Sequence, residues 1–200
     1  MAGWTYLFKP IFYRFLSEHL RARYNQYILA KKLRNKFPSA KIDLDVKLVG
    51  VENIYLGDSV KIDKSCYINA GGIAYCGHDG HVQLGNHVIM GHQSMIFAGG
   101  GKVQVGDLTR IGIGVIIAAQ AEDSFANPDV KPDAHTLIFE EITIGQSCMI
   151  AGGAIILGGT ELGNHCIVGA GAVVKGKYPD NATLIGNPAR AIPRIKSMPE

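Results

Sequence analysis

Seven histidines, four cysteines and a pair of arginines near the carboxyl end are the residues of this 200-residue chain best suited to chemistry. Thiols could hold a metal or cycle redox state. Cys66, Cys76, Cys148 and Cys166, however, contain no C-x-x-C pair and match no zinc spacing. Cys66, Cys148 and Cys166 recur at one small-residue position of a repeated phrase, where a compact apolar side chain packs well; Cys76 stays open. A histidine titrates near neutrality and can take or give a proton. His87 and His165 both end the phrase Leu-Gly-Asn-His and read as surface turn residues, whereas His92 and His135 lie outside it and His78 and His81 are unassigned. Glu122 could do similar work if burial raised its pKa from about 4.3 toward neutrality. Arg190 and Arg194 suit phosphate, because guanidinium makes charge-assisted and often bidentate bonds to it.

The element that must position these groups is legible as a beat of six. Aliphatic residues stand at Leu56, Ile62 and Ile68; at Leu84, Met90 and Ile96; at Val105, Ile111 and Ile117; and from Ile144 through Ile150, Ile156, Leu162 and Val168 to Val174. Glycine often follows, as in Leu56-Gly57, Val105-Gly106 and Val168-Gly169, and the fourth position on is small or β-branched (Val60, Cys66, Ser94, Thr109, Ala154, Cys166). Neither the helical period of 3.6 nor the strand period of two produces a strict six. A short strand followed by a sharp turn does. Three such units close one triangular turn of a coil, and stacked turns bury a continuous aliphatic core that no single repeat could bury. The predicted fold is all-β, a parallel β-helix with the aliphatic and small positions pointing inward.

This pattern resembles the hexapeptide-repeat acyltransferases, whose fold is a left-handed parallel β-helix, over roughly residues 51–194. Ile185-Gly186-Asn187-Pro188-Ala189-Arg190 is similar to the ending that follows the coil in the maltose, galactoside and polysaccharide O-acetyltransferases, where it helps bind coenzyme A. The resemblance implies acetyl-CoA as acyl donor, with Ala151, Gly152, Ala170, Lys175, Asn187, Arg190 and Arg194 as its binding residues. Ala151-Gly152-Gly153 and Gly169-Ala170-Gly171 have almost no side-chain bulk and would let a pantetheine arm lie against the coil. Lys175 falls one position away from the family's lysine. Ser124-Phe125-Ala126-Asn127-Pro128-Asp129-Val130 looks like the projecting loop that covers the acceptor site of sugar O-acetyltransferases. The family's catalytic histidine falls on Glu122 by hexad phase. Three residues then compete to be the general base: Glu122, His135 in the loop, and His92, which falls where the galactoside enzymes carry an active-site Ala-Asn-Phe. The family further implies a homotrimer with sites between subunits, a carbohydrate acceptor and direct transfer in a ternary complex.

The chain divides accordingly. Residues 1–47 form a basic, aromatic segment expected to be helical, residues 48–194 the β-helix with a projecting loop at 123–143, and residues 195–200 a tail. The first segment holds ten basic residues against three acidic, a charge of +7 that leaves −4 for the rest of a chain of net +3. Trp4, Tyr6, Phe8, Phe12, Tyr13 and Phe15 precede most of that charge, which suits either an anionic membrane surface or a cap on the coil. No nucleic-acid motif accompanies the charge, so nucleic acid is not an expected partner. No span of eighteen apolar residues and no secretory signal is present, so the expected location is cytoplasmic, peripheral to the inner membrane face if residues 1–47 contact the membrane rather than cap the coil. That contact and the ending favour an acceptor in cell-surface polysaccharide synthesis. Two other classes fit parts of the pattern. Leu84 to His92 resembles part of the metal-binding stretch of the γ-class carbonic anhydrases, but Phe97 stands at the next ligand position, so no metal is expected. A non-catalytic scaffold that retains coenzyme A affinity is the other.

Overall fold

The computed structural model describes Leu33 and residues 35–72, 77, 79–122 and 137–193. The chain falls into two compact units, Met1–Pro38 and Ser39–Glu200. Of the first, only Leu33 and residues 35–38 are described, and there the Phe37 N–H donates to the Leu33 carbonyl at 2.7 Å. The expected amino-terminal helix, its membrane contact, Cys76, His78, His135 and Arg194 lie outside the described residues.

The second unit is a left-handed parallel β-helix of six turns, each contributing one short strand to each of three faces, with a seventh parallel strand completing face one. Face one stacks Lys41–Ile42, Lys61–Ile62, Ile89–Met90, Arg110–Ile111, Met149–Ile150, Ile167–Val168 and Thr183–Ile185. Face two stacks Lys47–Val49, Tyr67–Asn69, Met95–Phe97, Ile116–Ala118, Ile155–Leu157 and Val173–Val174. Face three stacks Ile54–Leu56, His81–Leu84, Lys102–Val105, Glu141–Ile144, Glu161–Leu162 and Lys177–Tyr178. A last strand, Arg190–Ile192, turns back antiparallel on Thr183–Ile185.

Strand register places the beat of six in vertical columns. Ile62, Met90, Ile111, Ile150, Val168 and Leu184 pair in succession on face one, and Ile68, Ile96, Ile117, Ile156 and Val174 on face two. All are buried. Burial of a side chain this size contributes about 1.5–3 kcal/mol, so the columns supply the cohesion of a coil whose turns touch only their neighbours. The small positions are buried too, and the polar ones among them serve the backbone. The Ser94 hydroxyl donates to the Gly112 carbonyl at 2.6 Å and that of Thr109 to Gly145 at 2.9 Å. The thiols of Cys66, Cys148 and Cys166 lie 3.1, 3.2 and 3.3 Å from the carbonyls of Gly91, Gly163 and Pro179. Each group reaches a corner carbonyl on the next turn. A buried polar side chain without a partner would cost about 1–3 kcal/mol, and these corner carbonyls let Cys, Ser and Thr share a position otherwise filled by Ala and Val.

The coil differs from the hexad reading at three places. Its first strand is Lys41–Ile42, paired with Lys61–Ile62, so the coil takes in residues that the reading assigned to the amino-terminal segment. Ile42, Leu48 and Ile54 are themselves six apart, but the first face-three strand runs on from buried Ile54 to Leu56, and the beat restarts there, two residues out of phase. Likewise His81, which the hexad reading leaves unassigned, begins a face-three strand. The interruption at 123–143 is in part a stem, with Gln120–Glu122 antiparallel to Leu137–Phe139, and the coil resumes at Glu141.

Candidate functional site

The edge where face one turns into face two is the barest of the coil. Its corners stack His92, Ile113, Gly152 and Ala170, held in line by Gly114 N–H to the His92 carbonyl (2.9 Å), Gly153 N–H to Ile113 (2.9 Å) and Gly171 N–H to Gly152 (3.1 Å). Gly152 and Ala170 are exposed and Ala151 is half-buried. Turns rise about 4.8 Å each, so His92 and Ala170 stand about 14 Å apart along this edge. Above Ala170 the chain ending folds over it. Val173 N–H donates to the Gly186 carbonyl at 3.0 Å and Ala189 N–H to that of Val173 at 2.8 Å, which fixes Gly186 to Ala189 against the last strand of face two. Asn187 and Arg190 are exposed there, and one Arg190 Nη donates to the Ala189 carbonyl at 3.0 Å, leaving the rest of the guanidinium fork for other acceptors. An exposed edge of glycine and alanine corners with a guanidinium at its end suits a slender chain that terminates in phosphate.

His92 presents its imidazole on this edge. Its Nε2 is 3.9 Å from Asp63 Oδ2, and Asp63 is in turn held by Lys61 Nζ at 2.9 Å. The carboxylate therefore faces the ring without a direct hydrogen bond. Sequence reasoning passed over Asp63, since its partner is one full turn away.

The next edge, from face two to face three, carries the stem. Glu122 ends its first strand, and the Glu122 side chain lies outside the described residues. Lys175 stands on this second edge, not among the glycine corners, and its Nζ is 3.1 Å from Glu140 Oε2. The expected binding residues thus divide. Ala151, Gly152, Ala170, Asn187 and Arg190 share the first edge with His92, while Lys175 and the stem occupy the second, on the far side of face two.

Between them, face two is apolar outside as well as inside. Tyr67, Met95, Ile116, Ile155 and Val173 align in one outward column, and Phe97 and Leu157 flank them. Tyr67 and Phe97 pack ring to ring at 5.4 Å. Face three is the opposite, with Lys102–Glu141 at 2.8 Å and Lys177–Glu161 at 2.6 Å spanning adjacent turns.

The third edge is structural. Asp58 N–H donates to Asn86 Oδ1 and Asn86 N–H to Asp107 Oδ1, both at 2.8 Å, and Asn164 N–H donates to Asp180 Oδ1 at 2.8 Å. His87 and His165 are the left-handed corner residues of this ladder, both at φ 57°. His87 and His92 therefore lie on opposite edges of face one. Among the described residues, no three His, Cys, Asp or Glu side chains gather as a metal site.

Comparison with known proteins agrees with this geometry. Residues 141–176 match the family model described as bacterial transferase hexapeptide (six repeats). Over 70 residues the chain is 31% identical to WbbJ of Escherichia coli K12, named for O-acetyl transfer in lipopolysaccharide biosynthesis. That match takes in 35% of this chain and spans 36% of the relative. Among solved structures, the N-acyltransferase AntD of Bacillus cereus, in complex with dTDP-4-amino-4,6-dideoxyglucose and coenzyme A, superposes with a TM-score of 0.69 at 20% identity, covering 84% of this chain and 89% of AntD. The polysialic-acid-specific acetyltransferase NeuO superposes at 0.52 with 21% identity, covering 78% of this chain and 71% of its own. The chain therefore has the left-handed β-helix fold of these acyltransferases, and its residues 141–176 carry the hexapeptide repeat.

Proposed function

We propose that this protein is an acyl-CoA-dependent acyltransferase that moves an acetyl group from acetyl-CoA to a carbohydrate hydroxyl. The observation that carries the reading is the bare first edge leading to Asn187 and Arg190. It offers a pantetheine arm a smooth track past Gly152 and Ala170, and its phosphates a guanidinium where the track ends. Arg194 follows four residues on in the sequence and adds a second cation. The relatives support the class. WbbJ is named for O-acetyl transfer, and AntD holds coenzyme A together with a nucleotide sugar.

The reaction needs little from the protein beyond alignment and one base. The acceptor oxygen attacks the thioester carbonyl as its proton passes to the base, and the tetrahedral intermediate collapses with loss of the coenzyme A thiolate, which takes up a proton. His92 is the described candidate for that base, on the same edge as the proposed acyl donor; Glu122 and His135 are the candidates from the projecting segment. Transfer is direct, within a ternary complex.

The apolar outer surface of face two supports a homotrimer, in which the stem-bearing edge of one copy meets the bare edge of the next. A surface-polysaccharide precursor at the inner membrane face is the acceptor we favour, supported by the WbbJ likeness and the basic, aromatic segment at 1–47. No helix among the described residues is long and apolar enough to cross a membrane. The test is calorimetric titration of acetyl-CoA into the wild type and Arg190→Ala, with free-thiol release recorded in the same samples. A charge-assisted bond contributes about 1.5–3 kcal/mol, so the variant should bind about ten-fold more weakly or worse. Absence of binding by the wild type would overturn the reading.

A further inference from the structure

The projecting stem is gripped where it leaves the coil, and the grip spans four successive turns. From below, the Phe139 ring covers Gly100, where a Cβ would meet ring carbons at 2.5 Å, and Gly100 itself holds φ 77°. From above, Glu140 lies over Gly158, where a Cβ would meet its Oε2 at 2.6 Å. The Glu140 carboxylate then reaches up to Lys175 Nζ at 3.1 Å, one turn further on. Lys175 is steadied by the Tyr178 hydroxyl, which donates to its carbonyl at 3.1 Å. Glu140 is also tied by its own backbone, with its N–H donating to the Ala119 carbonyl at 2.9 Å. The Gly158-Gly159 corner has no side chain to fill the space Glu140 takes, and a bulkier pair would push the stem away.

We propose that Glu140 and Lys175 form a latch that sets the stem's angle to the coil, making Lys175 a positioning residue for the hairpin rather than a ligand of coenzyme A. The inference deepens the acyltransferase reading and rests on it for what the hairpin faces, the acyl acceptor. Phe139 and the glycine corners set the pivot; the ion pair selects one orientation about it. Because the cation is matched to one carboxylate, reversing both charges keeps the latch, whereas removing either opens it.

The experiment measures hydrogen–deuterium exchange of the Leu137–Phe139 amides in the full chain, alongside calorimetric acetyl-CoA binding. The set comprises wild type, Lys175→Ala, Glu140→Ala, the double reversal Glu140→Lys with Lys175→Glu, and Arg190→Ala. A partly exposed ion pair of this kind is expected to change local opening by about two- to five-fold. Each single variant at 140 or 175 should speed exchange by that factor and the double reversal should return it to the wild-type rate. Acetyl-CoA affinity should stay within about two-fold of wild type in Lys175→Ala, since no coenzyme contact is removed, and should fall in Arg190→Ala. Unchanged exchange in the single variants would overturn the latch. So would a loss of acetyl-CoA affinity in Lys175→Ala that the double reversal fails to recover. If the wild type binds no acetyl-CoA while the exchange pattern holds, the acyltransferase reading fails and the latch stands.

Discussion

The three buried thiols are where the residue scale is most clearly decided by environment. Cys148 is sequestered between turns, and burial pushes its thiol from 9.0 up to about 11, with Cys66 and Cys166 shifted the same way for the same reason. The thiolate is the reactive form, so these groups are inert at neutral pH, and their work is to donate S–H to corner carbonyls. The shift has a consequence for stability. The folded state holds the Cys148 proton more tightly than the unfolded chain, so this contribution is complete below about pH 9 and is lost as pH rises through the raised value. Urea midpoints measured between pH 8 and 11 should therefore fall less steeply in Cys148→Ser, which keeps a donor but does not titrate, than in the wild type. Parallel slopes would show that folding does not raise the Cys148 thiol above its unfolded value. The role of these cysteines was legible in the sequence because they share the small inward position with Ser94, Thr109 and Ala154. Lys175 was not legible in the same way. Its partner, Glu140, is 35 residues away, and only the stacking of turns brings the two together.

At the scale of elements, each strand matters through the column it joins. Ile156 is fully buried between Ile117 and Val174. Ile156→Ala should lower unfolding free energy by about 2–5 kcal/mol, the usual cost of a buried cavity of this size. Ile113, 59% exposed on the bare edge, should tolerate alanine to within about 0.5 kcal/mol. Chemical denaturation of both variants checks the contrast, and equal losses would mean that the beat of six does not mark the core. Most of that core could be read directly, since an aliphatic residue every sixth position has only one way to face inward on successive sides. The middle face-three strands bury an extra residue two before the beat: Val82 with Leu84, Val103 with Val105 and Ile142 with Ile144. A pattern counted in sixes loses its phase there, and it hid both the first turn of the coil and the strand that begins at His81. The stem escaped for another reason. Gln120–Glu122 and Leu137–Phe139 pair across a long separation, and their short alternations carry little periodic signal.

For the whole molecule, the arrangement of the two edges is the decisive fact. The glycine corners with His92, Asn187 and Arg190 lie on one side of face two, and the stem and its latch on the other. A single coil cannot fold one edge onto the other, because the rigid strands of face two stand between them. The two sets meet only if the stem edge of one copy docks beside the bare edge of another, and the outward column of Tyr67, Met95, Ile116, Ile155 and Val173 is the apolar surface over which such copies would join. Ile116→Glu places a carboxylate at the middle of that column, where desolvation without a partner is costly. The wild type is expected to sediment at three times the 21.5 kDa chain mass and Ile116→Glu as a single chain, while Gln83→Glu on polar face three should remain assembled. If the site is shared, thiol release from acetyl-CoA should disappear in Ile116→Glu along with the assembly, although Arg190 and the glycine corners are untouched. Retained thiol release in a monomeric Ile116→Glu would instead mean that one copy holds the whole catalytic set, and would place the base on the first edge with His92.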